Sequence, residues 1–196
     1  MTQVVLATHN AHKIAELQAI VSRVRPDIEV VGYDGPEPVE DGTTFQANAL
    51  IKARTAARHT GLVALADDSG ICVDVLGGSP GVFSAYWAGH KKDDAANLEL
   101  LLDQISDLHR DEDRTAHYTS VIALVTPQGT EHTVEGIWPG HVARETRGEG
   151  GFGYDPIFIP AGTDGRSAAE LTAAEKNAVS HRARALEALV PLLEAL

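Results

Sequence analysis

Cysteine is almost absent from this sequence, which has a single one, Cys72, among 196 residues. One cysteine cannot form an internal disulfide, and it excludes zinc sites built from several cysteines. Long hydrophobic runs are also missing: no stretch of about 18 apolar residues is present, so we expect no membrane-spanning helix. The N-terminal segment has no basic region, apolar core or cleavage site. We therefore expect no signal peptide and a soluble, cytoplasmic protein without a membrane partner.

Basic residues are scarce relative to acidic ones. Sixteen Lys and Arg residues stand against 28 Asp and Glu residues, which gives a formal net charge of −12. Such a surface repels phosphate backbones, so we expect no nucleic-acid partner. A small anion can still bind in a locally basic pocket or together with a cation. The hydrophobic content of 43% is ordinary, and we predict a single domain over residues 1–196.

The apolar pattern predicts an α/β protein. Short apolar runs that indicate buried strands lie at residues 4–7, 28–32, 62–66, 71–76 and 157–159. Helical spacing is found at residues 11–24, 44–59, 93–105 and 172–193. Between residues 117 and 138 the period is closer to two, and Pro127–Gln128–Gly129 interrupts it, which predicts a β-hairpin and a mixed sheet. We also expect a turn at Pro139–Gly140 and a short strand at residues 141–144.

The most informative stretch is Asp67–Asp68–Ser69–Gly70, which follows one apolar run and precedes another. Adjacent carboxylates repel each other, and either a cation such as Mg²⁺ or a shared proton relieves that repulsion. Glu40, in an acidic loop rich in Pro and Gly, is a candidate ligand for the same metal. Solvated aspartates in a turn are the alternative, and this stretch alone does not decide between the two.

Three other segments carry groups that suit a nucleotide. Lys13 lies one turn into a helix that Asn10 caps, where free N–H groups bind anions, although plain capping explains the same pattern. Phe152 lies in a glycine-rich loop and can stack on a base or belong to the core. A polar stripe that suits an anion or a base edge, or is simply solvated, comprises Lys176, Asn177, Ser180, His181 and Arg184.

Five motifs together resemble those of the inosine triphosphate pyrophosphatase family, which are pyrophosphatases of noncanonical purine nucleoside triphosphates (dITP/XTP diphosphatases). The motifs are Ala7–Thr8–His9–Asn10 with Lys13, Asp67–Asp68–Ser69–Gly70, Gly77–Gly78–Ser79–Pro80–Gly81, the run from Gly150 to Phe158, and Ser180–His181–Arg182. The resemblance implies an α/β fold with a long twisted mixed β-sheet flanked by helices, and two lobes with a central substrate cleft. It also implies a homodimer that hydrolyses ITP, dITP or XTP to the monophosphate and pyrophosphate with Mg²⁺.

The resemblance also implies a role for individual residues. Glu40 and Asp68 would bind Mg²⁺, and Asp68 would be the catalytic proton acceptor. Residues that would hold the triphosphate are Thr8, Asn10, Lys13 and Lys52. Residues that would contact the rest of the substrate are Ser69, Phe152, Gly153, Tyr154, Asp155, Lys176, His181 and Arg182. A metal-bound carboxylate is a weak base, so Asp67 is a second candidate to accept the proton of the attacking water.

Two positions depart from the family pattern. His9 stands where many relatives have glycine, and it either contacts the phosphates or faces solvent. Ala47 stands where an acid is frequent, which leaves the number of metal ions open. Two other functions stay open at this point: a Maf-like nucleotide pyrophosphatase that acts on pyrimidine or modified nucleotides, and a nucleotide sensor without catalysis.

Overall fold

The computed structural model describes residues 2–196. Its strands and helices in chain order are β1 (Thr2–Leu6), α1 (Ala11–Val24), β2 (Ile28–Gly32), α2 (Phe45–Thr60), β3 (Val63–Val73), β4 (Ser79–Pro80), α3 (Asp94–Gln104), β5 (Thr115–Val125), β6 (Glu131–Val142), β7 (Phe158–Pro160), α4 (Ala173–Val179) and α5 (His181–Glu194). Short 3₁₀ helices lie at Asp74–Leu76, Gly81–Tyr86, Asp111–Asp113, Asp155–Ile157 and Ala168–Glu170. No helix within residues 2–196 is long and apolar enough to cross a membrane.

The strands form one mixed sheet, as the sequence predicts. Its order is β2-β1-β3-β5-β6-β7, and β4 pairs with β3. β1 is parallel to both β2 and β3, whereas β4 is antiparallel to β3 and β7 is antiparallel to β6. Helices accompany this sheet along the chain, so the predicted α/β class with a mixed, helix-flanked sheet is confirmed.

Three predicted boundaries are wrong. The acidic stretch is not a turn between two strands, because β3 runs through it without interruption. The predicted turn at Pro139–Gly140 lies inside β6. The final helix is two helices, because the extended backbone of Ser180 (φ −65°, ψ 163°) separates α4 from α5. The predicted polar stripe therefore does not lie on one continuous helix face, and Val179, at the end of α4, is 39% exposed.

Helix caps explain where several helices begin and end. The side chain of Asn10 accepts a hydrogen bond from Lys13 N at 3.3 Å, and that of Thr44 accepts one from Ala47 N at 3.1 Å. Gly61 ends α2 with a left-handed φ of 69°, which glycine adopts without strain. A capping box of Thr172 and Glu175 opens α4. The cap at Asn10 is a local feature, and for that reason the sequence predicts it.

The structure divides into two compact units, and β3, β5 and β6 contribute residues to both. The first unit comprises Met1–Asp68, Ser120–Gly136 and Arg184–Leu196. Its apolar residues form two clusters. One joins α1 and α5 to the sheet through Val4, Leu6, Leu17, Val21, Leu65, Leu186, Leu189 and Leu193. The other joins α2 to the sheet through Val5, Ala49, Ala53, Ala56, Ala57, Ala64, Ala66 and Val121. The alanines of α2 permit a close approach of helix and sheet.

The second unit comprises Ser69–Thr119 and Ile137–Ala183. Its core includes Ile71, Leu98, Leu101, Tyr118, Trp138, Tyr154, Ile157 and Phe158. Arg114 is also buried there, with 1% of its surface exposed. Its guanidinium donates four hydrogen bonds of 2.7–2.9 Å, to the carbonyl oxygens of Ile105, Leu108, Val142 and Ala143. Burial lowers the pKa of Arg114, and Arg144 lowers it further.

Arg114 is therefore expected to stabilise the second unit by tying three chain segments together. Arg114→Met leaves four carbonyl groups without this donor, three of them at buried bonds, and we expect the free energy of unfolding to fall by about 3 kcal/mol or more. The matched control is Arg110→Met, since Arg110 is mostly exposed and bonded to the neighbouring Asp113. Chemical denaturation measures both variants. Equal stability of Arg114→Met and Arg110→Met contradicts this role.

Candidate active site

Strand β3 sends its two aspartates to opposite faces of the sheet. Leu65 packs in the cluster that contains α1, whereas Ala64 and Ala66 pack in the cluster that contains α2. Successive side chains of a strand alternate between faces, so Asp67 follows Leu65 and Asp68 follows Ala66. The observed partners agree with this alternation: Asp67 meets a lysine of α1 and Asp68 meets a lysine of α2.

Asp67 and Lys13 form a part-buried ion pair. The Lys13 ammonium lies 2.9 Å from Asp67 Oδ2 and 3.2 Å from Oδ1. Their side chains are 31% and 15% exposed. Lys13 comes from the first turn of α1, where Asn10 caps the helix and the hydroxyl of Thr8 accepts a bond from Asn10 N. Three predicted phosphate ligands, Thr8, Asn10 and Lys13, therefore lie together at the start of α1.

Asp68, Lys52 and Glu40 form the second charged group. The Lys52 ammonium lies 3.1 Å from Asp68 Oδ1 and 2.9 Å from Glu40 Oε2. Burial raises the pKa of Asp68, and the Glu40 charge adds to this rise while Lys52 opposes it. For Lys52, burial favours a lower pKa, but the charges of Asp68 and Glu40 outweigh it and the pKa is raised. Lys52 therefore stays protonated and carries its positive charge between two carboxylates.

Asn48 connects this group to the loop before α2. It is buried, with 4% exposed, and its side-chain oxygen accepts a hydrogen bond from Gly42 N at 2.9 Å. Its side chain also hydrogen-bonds to Asp68, which favours the charged carboxylate. A Cβ on Gly42 would lie 2.5 Å from the Asn48 oxygen, so only glycine allows this approach. Asn48 and Lys52 lie four residues apart on α2, a spacing that places neighbouring side chains on one side of a helix.

Two predicted contact residues are more exposed. The His9 side chain is 53% exposed, and its Nε2 lies 3.5 Å from Glu37 Oε1. The His9 ring is also 6.3 Å from the ring of Tyr33. Ser69 is exposed on β3, directly after Asp68. Both residues therefore lie at the surface of the units to which they belong.

The predicted base-stacking residue lies in the second unit. Phe152 is 74% exposed, so it is not a core aromatic. The Lys176 ammonium lies 4.6 Å from the centre of the Phe152 ring, a cation–π distance. Lys176 also pairs with the carboxylate of Asp155, which accepts a hydrogen bond from Phe152 N at 2.9 Å. Asp155 is 2% exposed, so one buried carboxylate holds both the Lys176 ammonium and the backbone N–H of Phe152.

A group of stacked rings surrounds His181 in the same unit. The His181 ring lies nearly parallel to that of Tyr118, with centres 4.7 Å apart and 11° between planes, and 6.3 Å from the ring of Trp138. Burial and the charge of Asp155 raise the pKa of Tyr118 well above its ordinary value. Tyr154 is buried, and its hydroxyl donates to Ser84 O at 2.7 Å. Tyr118 carried no local sequence signal, because only the fold brings it to His181.

The acidic group of the first unit fits a hard divalent cation. Glu40 and Asp68 offer carboxylate oxygens, which Mg²⁺ prefers, and both already surround one positive charge. Within the described residues no cluster of three or more His, Cys, Asp or Glu side chains is arranged as a metal cage. Two carboxylates suit Mg²⁺, since this ion is usually bound by one or two carboxylates together with substrate phosphates and waters.

The raised pKa of Asp68 predicts how stability depends on pH. Between the unfolded and folded pKa values the folded state holds more protons, so the free energy of unfolding falls as pH rises. With a chelator present, Asp68→Asn should therefore melt at a higher temperature than the wild type at pH 7, and this difference should shrink as pH is lowered. Asp34→Asn, at an exposed position, is the control. A lower melting temperature for Asp68→Asn at pH 7 contradicts the prediction.

Several proteins are similar to this chain over its whole length. A protein of Leifsonia xyli named dITP/XTP pyrophosphatase is 62% identical over 196 residues, which cover 100% of this chain and 98% of the relative. A protein of Streptomyces coelicolor with the same name is 53% identical over an alignment that covers 100% of this chain and 99% of the relative. These relatives favour the predicted family over the Maf-like alternative.

Solved structures agree with the sequence matches. A HAM1 protein from Coxiella burnetii matches with a TM-score of 0.91 and 42% identity over 100% of both chains. A dITP/XTP pyrophosphatase from Mycobacterium abscessus matches with a TM-score of 0.83 and 51% identity, covering 97% of this chain and 100% of the other. A sequence model of the Ham1 family matches residues 4–192. The chain is therefore a member of the Ham1 family.

Proposed function

We propose that this protein hydrolyses noncanonical purine nucleoside triphosphates, namely ITP, dITP and XTP, to the monophosphate and pyrophosphate. Membership of the Ham1 family and full-length relatives named dITP/XTP pyrophosphatase support this activity. The observation in the structure that carries it is the group of Asp68, Lys52 and Glu40, in which a part-buried cation lies between two carboxylates.

The first unit provides the groups that phosphoryl chemistry needs. Lys13 and Lys52 have the positive charge to bind phosphates, and Thr8 and Asn10 lie at the N-terminus of α1, where the helix favours anions. Glu40 and Asp68 would hold Mg²⁺, which supplies positive charge that stabilises the transition state and the leaving pyrophosphate. Lys52, next to both carboxylates, would bind phosphate oxygens. His9 and Ser69 are further substrate contacts in this proposal.

The chemical step needs one proton acceptor. The oxygen of a water molecule bonds to the α-phosphorus, the bond from that phosphorus to the bridging oxygen breaks, and pyrophosphate leaves. We assign the proton that the water loses to Asp68, whose carboxylate has Asn48 and Lys52 as hydrogen-bond partners. Asp67 keeps Lys13 in place through their ion pair and is the supporting carboxylate.

The second unit provides the groups that recognise a base. The exposed face of Phe152 would stack on the purine, with Gly153 and Tyr154 next to it in the chain. Lys176, His181 and Arg182 would contact the base edge and phosphate. Donors at the 6-oxo group of hypoxanthine or xanthine would reject adenine, whose 6-amino group leaves buried donors unpaired. Asp155 would act through Lys176, because its carboxylate is buried and already engaged.

Three further properties belong to this proposal. The metal is Mg²⁺, the protein works as a homodimer, and it acts in the cytoplasm without binding nucleic acid or membranes. The family resemblance supports the dimer and the metal. The net charge of −12 supports the lack of a nucleic-acid partner.

A substrate panel tests the activity and its catalytic residue. With Mg²⁺, the wild type should release pyrophosphate from dITP at least about 100-fold faster than from dATP or dGTP, as measured by a coupled pyrophosphate assay. Asp68→Asn should lower kcat by about 100-fold or more, because the proton acceptor and a metal ligand are lost. Orthophosphate as the product, or full turnover by Asp68→Asn, contradicts the mechanism. A nucleotide sensor would bind dITP and release neither product.

Replacement of the stacking residue tests base recognition. Phe152→Ala should raise KM for dITP by roughly five- to 150-fold, since base stacking contributes about 1–3 kcal/mol, and should change kcat little. Phe83→Ala is the matched control, because Phe83 is also exposed but lies in the 3₁₀ segment Gly81–Tyr86. Steady-state kinetics compares KM and kcat for dITP between the two variants. An equal effect of the two changes contradicts the stacking role.

A further inference from the structure

The aromatic loop, defined as residues 150–154, places an exposed ring on an adaptable backbone. Phe152 is 74% exposed, so packing does not fix its ring. Gly151 and Gly153 flank it with φ angles of 72° and 58°, in the left-handed region. Glycine has more conformational freedom to lose than any other residue. Such a ring stacks on a base efficiently only when other contacts hold the loop.

One side of the aromatic loop is held by local contacts. Asp155 accepts the hydrogen bond from Phe152 N, and its own N–H donates to Phe152 O at 3.2 Å. Lys176 connects the Asp155 carboxylate with the face of the Phe152 ring. These contacts fix the residue before Gly153 but do not fix Gly153 itself.

The other side is held by a residue from a distant part of the chain. Gly153 N donates a hydrogen bond to Asp94 Oδ2 at 3.1 Å, across 59 residues of sequence. Asp94 is the first residue of α3. That helix is well anchored, because Leu98 and Leu101 are buried and the buried Asn97 side chain bonds to Ala88 N and Ala85 O. Asp94 therefore joins the glycine at the end of the aromatic loop to a helix that packs into the core.

Capping of α3 does not require Asp94. The N-cap is Asp93, whose Oδ1 accepts a hydrogen bond from Ala96 N at 3.1 Å. The two neighbouring aspartates thus have different partners: Asp93 caps its own helix, and Asp94 accepts a hydrogen bond from the aromatic loop. This division provides a matched pair for experiment.

We propose that Asp94 is a positioning residue for base binding, which holds Phe152 ready to stack on the purine by accepting the N–H of Gly153. This inference rests on the proposed role of Phe152 in base stacking. Asp94 acts through the aromatic loop and does not itself contact the nucleotide. Preorganisation of a binding loop lowers the entropy lost on binding, so its effect belongs in KM rather than in kcat.

Kinetics of three variants test the proposal. Asp94→Ala should raise KM for dITP by about three- to tenfold and leave kcat within about twofold of the wild type. Asp94→Asn keeps a side-chain oxygen acceptor and should restore KM to within about twofold of the wild type. Asp93→Ala should lower the melting temperature through loss of the cap and leave KM unchanged. A failure of Asp94→Asn to rescue KM overturns the proposal, because it shows that charge alone matters.

A double-mutant cycle tests whether Asp94 acts through Phe152. In a Phe152→Ala background, Asp94→Ala should change KM by less than about twofold, because no ring remains to be positioned. The full three- to tenfold effect in that background overturns the proposal.

Hydrogen exchange without nucleotide separates this inference from the proposed function. In Asp94→Ala, amides of residues 148–158 should exchange at least about threefold faster than in the wild type, whereas in Asp94→Asn they should exchange at the wild-type rate. Unchanged exchange in Asp94→Ala overturns the positioning role, even if the wild type hydrolyses dITP. If the wild type does not hydrolyse dITP, the proposed function fails and base positioning fails with it. Faster exchange then still shows that Asp94 holds the loop.

Discussion

The side-chain alternation of β3 is the constraint on which the candidate catalytic group depends. The strand is buried on both faces, and its neighbours Leu65 and Ala66 pack into different apolar clusters. A shift of one residue in this strand would exchange the faces of every side chain, so the two clusters fix the orientation of the aspartates that follow. Packing of the first unit thereby determines that Asp67 meets Lys13 and Asp68 meets Lys52.

Charge balance is the second feature of this group. The chain has a strong excess of acid, yet the part-buried carboxylates each have a lysine within 3.2 Å. The raised pKa of Asp68 shows that burial is not fully offset, because Glu40 adds a second negative charge. A site with an incompletely neutralised carboxylate pair favours a divalent cation, and it has a cost in stability that functional sites commonly show.

Buried polar side chains organise the second unit in a different way. Arg114 donates to four carbonyl groups, and Asp155 accepts from the backbone of the aromatic loop while it pairs with Lys176. In both cases a buried side chain bonds to main-chain groups of segments that are separate in the sequence or lie in a loop. Phe152 is thus exposed and yet supported, which suits a ring that stacks on a ligand.

The sequence predicts the α/β class, the cap at Asn10, and the acidic, lysine and aromatic candidates, because these depend on local pattern and on residue chemistry. It did not determine that β3 continues through the acidic stretch, since adjacent carboxylates in a strand become acceptable only when two helices each supply a lysine. The break at Ser180 and the partners of Asp155, His181 and Gly153 also required the tertiary structure. Those contacts join residues that are far apart in the chain, and burial decides which of them form. The acidic pair is therefore predictable from sequence. Which lysine each aspartate meets depends on the packing of α1 and α2 on opposite faces of β3, because α1 carries Lys13 and α2 carries Lys52.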